Sequence, residues 1–504
     1  MNCQADYVRI KKTARRNAMN KKISIVYPEV TGRIAPEIYG HFSEHIGGVI
    51  YDGLWVGRNS DVPNINGYRK DLVEKFKAIN PPVLRWPGGC FAETYNWRDG
   101  IGKKRPIRPQ WWTPHDNRYE SNEFGTHEFF EFCELVGAKA YLAINVTSIT
   151  PLEARDWLDY CLSPRGSTTL ALEREANGRP EPFKIDFIGV GNENWGGGGN
   201  MTPEYYALIY RQFATVIDNV AKHNIPLIIG GANSNDYNWT RKITESVSTA
   251  QKCPSGMSFH HYSSRSGDCI NYSDSEWYEM LTKAERMDEL INRHYAVPLN
   301  YGLGNKMKLV IDEWGCWHPD GSGPSKGYNL FEQQSTMRDA MVSALTLNIF
   351  NNNADKILMA NVAQLCNNLH ALFLSGKEHL ITTPTYHVFD MYKAHMGAEC
   401  LSTLVTDNSG SIDKRISVSA SKKDGKITLT AANYSLTEDV ECEIDILGAG
   451  APEKCSVTLL RANDVREHNT FDEPNTVIPT AYESSSASIT IPHSSIVSVT
   501  FNIE

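Results

Sequence analysis

The sequence predicts an α/β fold, a (β/α)8 TIM barrel followed by a C-terminal antiparallel β-sandwich. Between residues 36 and 385, short apolar runs alternate with amphipathic stretches, the pattern of repeated βα units on a parallel sheet. Eight units of each kind fit this span, as a (β/α)8 barrel requires. After residue 396 the texture changes to short β-rich segments separated by turn residues, which reads as an antiparallel sandwich. A doubly wound open sheet is the competing arrangement. It normally carries a glycine fingerprint near its first strand, and none is present.

The expected barrel strands are Ile34–Gly40, Pro82–Trp86, Ala138–Val146, Ile185–Gly191, Pro226–Gly230, Met257–Tyr262, Met307–Asp312 and Lys356–Ala363. The expected helices are Arg69–Ile79, Thr126–Val136, Leu152–Tyr160, Pro203–Lys222, Trp239–Thr249, Ser275–Tyr295, Phe331–Asn351 and Thr385–His395. Thr202 before Pro203 is a strong helix start, a hydroxyl N-cap followed by proline at the first position. Sandwich strands are expected at Ile416–Ala420, Lys426–Ala431, Val440–Leu447, Ser456–Leu460 and Ser488–Ile491. Lys22–Tyr27 reads as one more strand of that sheet, because the ends of a domain often lie together. The division is therefore 1–20 as a flexible extension, 21–35 as a strand given to the sandwich, 36–385 as the barrel and 386–504 as the sandwich. Gly196–Gly199 lacks the Lys-Ser/Thr partner of a phosphate cradle and reads as a flexible loop.

Composition narrows the partners. The net charge is −9, with 59 acidic against 50 basic residues, which argues against nucleic acid. No apolar run reaches membrane-spanning length, and the basic N-terminus has no signal-peptide core. Eleven cysteines without paired spacing read as free thiols in a reducing compartment, hence a cytoplasmic location. Eleven tryptophans suit stacking on sugar rings and equally suit core packing.

Barrel sites gather at the C-terminal ends of the strands. Those ends deliver Glu44 and His45, Arg85 to Cys90, Asn192 and Glu193, His260 to Tyr262, Asp312 and Glu313, and Gln364. Glu193 and Glu313 end the fourth and seventh strands, on facing sides of the mouth. Cleaving a glycosidic bond needs such a pair, one carboxyl to protonate the leaving oxygen and one to attack or to activate water. Adjacent strand residues face opposite ways, so Asn192 and Glu193 both meet substrate only where the chain has already turned. His260 and His261 are adjacent for the same reason, so one ring faces inward and no metal is expected. Trp314 and Trp317 are expected to face the sugar, and Trp111 and Trp112 are expected either to stack on the sugar chain beyond the cut or to pin their loop. His318 is expected at the rim.

Six motifs carry a resemblance: Tyr39-Gly-His-Phe-Ser-Glu-His-Ile-Gly, Leu84-Arg-Trp-Pro-Gly-Gly-Cys, Tyr95-Asn-Trp-Arg-Asp-Gly-Ile-Gly, Ser121-Asn-Glu-Phe-Gly, Gly191-Asn-Glu-Asn-Trp-Gly and Ile311-Asp-Glu-Trp. In this order and spacing the chain after residue 21 resembles glycoside hydrolase family 51, the α-L-arabinofuranosidases. The resemblance implies Glu193 as acid/base and Glu313 as nucleophile. It implies Glu44, Arg85, Asn192, Tyr262 and Gln364 as sugar-holding residues, no cofactor, arabinose-containing saccharides as partners and a homo-oligomer, a hexamer in the family. A buried structural ion pair is the competing role for Arg85. At Cys90 the family varies between Asn and Cys, and a reactive or mercury-sensitive thiol beside the sugar is expected. The reading is thus an exo-acting arabinofuranosidase on arabinan, arabinoxylan or their oligosaccharides. An endo-β-glucanase or xylan-active enzyme on the same barrel, a non-catalytic sugar-binding protein and a metal-dependent hydrolase are the alternatives.

Overall fold

A computed structural model describes residues 19–503, apart from 117, 222–223, 320–321, 408–409, 411–415, 450–453 and 486. Most of the expected extension 1–20 lies outside the described residues. The barrel is closed. Its strands run in chain order as Gly40–Phe42, Val83–Trp86, Lys139–Ile144, Phe187–Val190, Leu227–Asn233, Gly256–Ser264, Lys308–Trp317 and Ile357–Ala363, and the eighth pairs back onto the first. All eight expected strands are present. The largest shift is in the first, where Pro36–Tyr39 forms a 3-10 turn and only Gly40–Phe42 is extended. Proline at the start of that turn supplies a helical φ and no amide donor.

The helices form where caps and apolar faces coincide. Thr126–Val136 is found as expected and stops at Gly137, whose φ of 78° suits glycine. Thr202 Oγ1 accepts from the amide of Tyr205 at 3.3 Å. Ser273 and Glu276 form a capping box on Asp274–Asn300, and Thr336 and Asp339 do so on Met337–Asn352. The seventh helix begins at Met337 rather than Phe331. It is buried on nearly every face because it lies between the barrel and the C-terminal sheet, where Asn348 binds Ser417 and Thr430. The last helix, Pro384–Tyr392, crosses the expected division at 385.

The C-terminal strands make one nine-stranded sheet: Thr480–Ser484, Cys455–Leu460, Ser495–Asn502, Lys426–Asn433, Ile416–Lys423, Glu399–Asp407, Met19–Arg33, Val440–Leu447 and Ser488–Ile491. Residues from both halves, among them Ile23, Ile446, Val457 and Phe501, share one apolar cluster, so the sheet folds over into two layers. Met19–Arg33 joins it, antiparallel to Glu399–Asp407 and parallel to Val440–Leu447, the one parallel pairing of this sheet among the described residues. Three strands escaped the sequence: Glu399–Asp407, Thr480–Ser484 and Ser495–Asn502.

Candidate active site

The fourth strand ends at Val190, and the chain then reverses. Gly191 has φ 90° and Glu193 has φ 41°, a left-handed conformation uncommon for a side chain larger than Asn or Asp. The reversal turns both Asn192 and Glu193 into the mouth, which an uninterrupted strand forbids. On the seventh strand the register shifts between Ser258 and His260 on one side and between Ile311 and Trp314 on the other. Such irregularities re-aim side chains, and here both Asp312 and Glu313 face inward.

The two glutamates meet at one imidazole. His260 Nδ1 lies 2.8 Å from Glu193 Oε1 and 3.4 Å from Glu313 Oε2, and its Nε2 lies 3.1 Å from Asp312 Oδ1. One carboxylate oxygen from each glutamate and a His260 nitrogen all lie within 4.8 Å of one another. Each oxygen of Glu313 has a further donor. Arg85 Nη1 donates to Oε1 at 3.0 Å, and the Tyr262 hydroxyl donates to Oε2 at 3.0 Å. Arg85 Nη2 donates to Asn192 Oδ1, and the guanidinium lies over the Phe42 ring at 4.5 Å. The competing roles for Arg85 therefore merge, since its buried ion pair includes Glu313 itself.

Glu44 Oε1 accepts from the amides of Gly89 and Phe91, each at 2.9 Å, and Oε2 accepts from Gln364 Nε2 at 2.9 Å. Cys90 Sγ lies 3.7 Å from Glu193 Oε2. Glu44, Arg85, Cys90, Asn192, Glu193, His260, Tyr262, Glu313 and Gln364 thus line one mouth.

Electrostatics sort these groups. Burial alone would lower His260, but the Glu313 charge and the hydrogen bonds that the ring donates to Asp312 and Glu193 raise its pKa to about 10. Both ring nitrogens then carry protons and donate to carboxylates. Burial raises Asp312, yet Arg85, His260 and Tyr141 bring it down to about 2. Burial raises the Glu313 carboxyl. The His260 imidazolium opposes that, the Glu193 charge adds to it, and Arg85 opposes it. Interacting carboxylates bind protons as a unit. Burial, helped by Glu313, lifts Glu44 to about 7.

The His260 shift has a consequence for stability. Its pKa is raised above the ordinary 6.5, so its contribution is complete below pH 6.5 and lost as pH rises through about 10. Urea unfolding should show stability falling across that window, with a slope of up to about 1.4 kcal/mol per pH unit from this one group. His260→Gln should flatten this component, and an unchanged slope would remove His260 as its source.

Several expectations need correction. Trp314, expected to face the sugar chain, is 1% exposed and packs edge-on against Phe350 at 5.4 Å and on Phe389 at 6.3 Å. With Glu313 turned inward, the next residue on the strand turns outward to the helix layer. Trp112 is 4% exposed and lies against Phe91 and Trp111, so it pins its loop. Trp317 keeps 36% of its surface exposed and stands edge-on to Tyr262 at 5.2 Å, consistent with a place at the mouth. His318 is buried against Asp339 at 2.9 Å rather than at the rim. His261 points away, to Ser234 and the Lys283 carbonyl.

Gly196–Gly199 is a tight turn, with the amides of Gly196 and Gly198 both bonded to the Glu193 carbonyl. A Cβ at Gly198 would come within 1.7 Å of the Asn192 carbonyl oxygen, so glycine is needed for this close approach. The Cys90 thiol is pushed far up by burial and by the charges of Glu193, Glu44 and Glu313. Thiol reactivity belongs to the thiolate, so the expected reactive cysteine is a protonated one. Asp312, Tyr141 and Glu93 had no assigned part in the sequence reading. Asp312 is expected at the mouth from its strand end but without a role, and the register shift is what turns it inward beside Glu313.

Two facing carboxylates, one of them held by fixed donors, are the equipment for cleaving a glycosidic bond, and the molecule is a barrel glycoside hydrolase. Residues 75–288 match the alpha-L-arabinofuranosidase 1 domain, and residues 312–495 match the alpha-L-arabinofuranosidase C-terminal domain. The chain is 39% identical over 465 residues to the intracellular exo-alpha-L-arabinofuranosidase of Bacteroides ovatus, covering 89% of this chain and 88% of that one. The GH51 arabinofuranosidase structure from Xanthomonas axonopodis pv. citri aligns with a TM-score of 0.88 at 35% identity, over 96% of this chain and 100% of that one. The α-L-arabinofuranosidase from Thermotoga maritima, solved as an arabinose complex, aligns with a TM-score of 0.82 at 28% identity over the same shares. The chain belongs to glycoside hydrolase family 51, the α-L-arabinofuranosidases.

Proposed function

We propose that this enzyme is a retaining, exo-acting α-L-arabinofuranosidase that releases terminal arabinofuranose from arabinan, arabinoxylan or derived oligosaccharides by double displacement. The observation that carries the mechanism is the spacing of the pair. Oxygens of Glu193 and Glu313 lie within 4.8 Å. An approach this close between one oxygen of each supports the short carboxyl separation of retaining pairs, roughly 5–5.5 Å, over the roughly 6.5–9.5 Å of inverting pairs.

In the first step Glu313 attacks the anomeric carbon while Glu193 protonates the departing oxygen, giving a covalent arabinosyl ester. In the second, Glu193 takes a proton from water, which displaces Glu313 and restores the α configuration. Glu313 suits attack because Arg85 and Tyr262 fix one oxygen each and favour the carboxylate. Glu193 has a charged donor at hand in His260, which stabilises the carboxylate formed on protonating the leaving group.

The sugar-holding roles follow from unused bonding capacity. Asn192 Nδ2 and Gln364 Oε1 are buried without a protein partner, and each suits a sugar hydroxyl. A bond from Asn192 to the 2-hydroxyl strengthens in the transition state. Glu44 accepts from further hydroxyls, and Trp317 offers an apolar face beyond the cut. The relative named an intracellular exo-enzyme supports exo action, and with it the ten free cysteines among the described residues support a cytoplasmic location. A homo-oligomer follows from family resemblance, with the hexamer as its form.

Screening p-nitrophenyl glycosides together with arabinan, arabinoxylan and β-glucan tests the substrate. The expected result is turnover of the α-L-arabinofuranoside and release of arabinose alone from the polymers. Inert arabinofuranoside with depolymerised β-glucan would overturn it.

A further inference from the structure

Glu93 is a buried carboxylate that the two-step reaction does not use. It sits in the 3-10 turn Ala92–Thr94 beyond the second barrel strand and is 1% exposed. Its oxygens accept hydrogen bonds from two other strand ends. Oε1 accepts from the Asn192 amide at 2.6 Å and from Asn194 Nδ2 at 3.4 Å, while Oε2 accepts from the amides of Val146 at 2.9 Å and Thr147 at 3.0 Å. The clasp is reinforced by Ser148 Oγ on the Glu93 carbonyl at 2.8 Å and Asn145 Nδ2 on the Tyr95 carbonyl at 3.2 Å.

No cation is among these partners. A buried carboxylate held by neutral donors alone is costly to desolvate, and burial raises its pKa to about 7. What it holds is the chain reversal after the fourth strand, with φ of 90° at Gly191 and 41° at Glu193. Strained backbone persists only where its surroundings over-determine it. The turn is also held by the Gly191 amide on the Ile144 carbonyl, the Met201 amide on the Asn194 carbonyl, Asn194 Nδ2 on the Gly198 carbonyl, Arg85 on the Asn192 side chain, His260 on the Glu193 carboxylate and the glycine amides on the Glu193 carbonyl. None of these fixes the Asn192 amide.

We propose that Glu93 is a positioning residue, its carboxylate anchoring the turn Gly191–Asn194 so that Asn192 and Glu193 are held against the bound sugar. The inference rests on the reading of Glu193 as acid/base. A carboxylate has about four acceptor sites for these donors, whereas an amide offers two and turns N–H groups toward them. Glu93→Gln keeps the reach and loses the acceptors; Glu93→Asp keeps the charge and loses the reach. In both, the acid is displaced from its line to the leaving oxygen.

The test compares kcat/KM for methyl and 2,4-dinitrophenyl α-L-arabinofuranosides, the first needing protonation of its leaving group and the second not, with Glu193→Ala alongside. The expected loss is on the order of 100-fold on the methyl glycoside, the cost of a misplacement near 1 Å. The loss on the dinitrophenyl glycoside should be smaller by about tenfold or more. Equal losses on both substrates, unchanged kinetics, or failure of both variants to fold would make Glu93 a structural residue and overturn the proposal. If Glu193→Ala itself shows no leaving-group dependence, the acid/base reading has failed instead.

Discussion

Glu313→Ala should lose hydrolysis of p-nitrophenyl α-L-arabinofuranoside by roughly 10⁴-fold or more, the scale on which removing a covalent nucleophile acts. Nothing nearby replaces it. Asp312, the neighbouring carboxylate, is engaged by His260, Tyr141 and Arg85, and Tyr262 is held neutral by burial and surrounding carboxylates. The variant should still fold, because Arg85 keeps Asp312 and Asn192 as partners and no buried cation is left alone. Thermal unfolding measured beside kcat separates the two effects. Loss below 100-fold in a folded variant would mean that another group attacks carbon.

Glu193→Ala should behave differently. Its kcat/KM on unactivated arabinofuranosides should fall by roughly 10²–10⁴, the range of general acid catalysis, while a dinitrophenyl leaving group, which departs without a proton, should restore most of it. With that activated substrate the first step stays fast and the second loses its base, so a burst of dinitrophenolate should precede slow turnover. His260 loses one partner but keeps Asp312 and Glu313, so the site retains its charge balance. A uniform loss across leaving groups, with no burst, would assign Glu193 to binding rather than proton transfer.

Much of this was legible because barrels obey position. Alternating apolar and amphipathic runs located the strands, and strand ends located Glu44, Arg85, Glu193, His260, Tyr262, Glu313 and Gln364 before any distance was available. What escaped depends on departures from regularity. Trp314 turns to the helix layer because Glu313 beside it faces inward, and Asp312 joins Glu313 at the mouth through a register shift that no residue type announces. Gly196–Gly199 reads as a loose tract, yet its glycines allow a packed turn in which Gly198 meets the Asn192 carbonyl. Cys90 reads as reactive until its three carboxylate neighbours are counted. Glu93 lies outside the strand-end motifs, and its role depends on amides contributed by the third and fourth strand ends, a long-range pairing no local pattern encodes. In the C-terminal sheet, the missed strands Glu399–Asp407 and Ser495–Asn502 pair with partners far along the chain, so their register is set by tertiary contacts.

Azide rescue of the two glutamate variants most directly tests division of labour between Glu193 and Glu313. Azide is a small nucleophile that needs no base. In Glu193→Ala it should intercept the ester on Glu313 and yield α-L-arabinofuranosyl azide, with configuration retained after two displacements. In Glu313→Ala it should occupy the vacated side, attack directly and yield the β-azide. The configurations are read by nuclear magnetic resonance of the isolated products. An α product from the first variant and a β product from the second is the predicted result; the reverse pairing, or a β product from both, would contradict it.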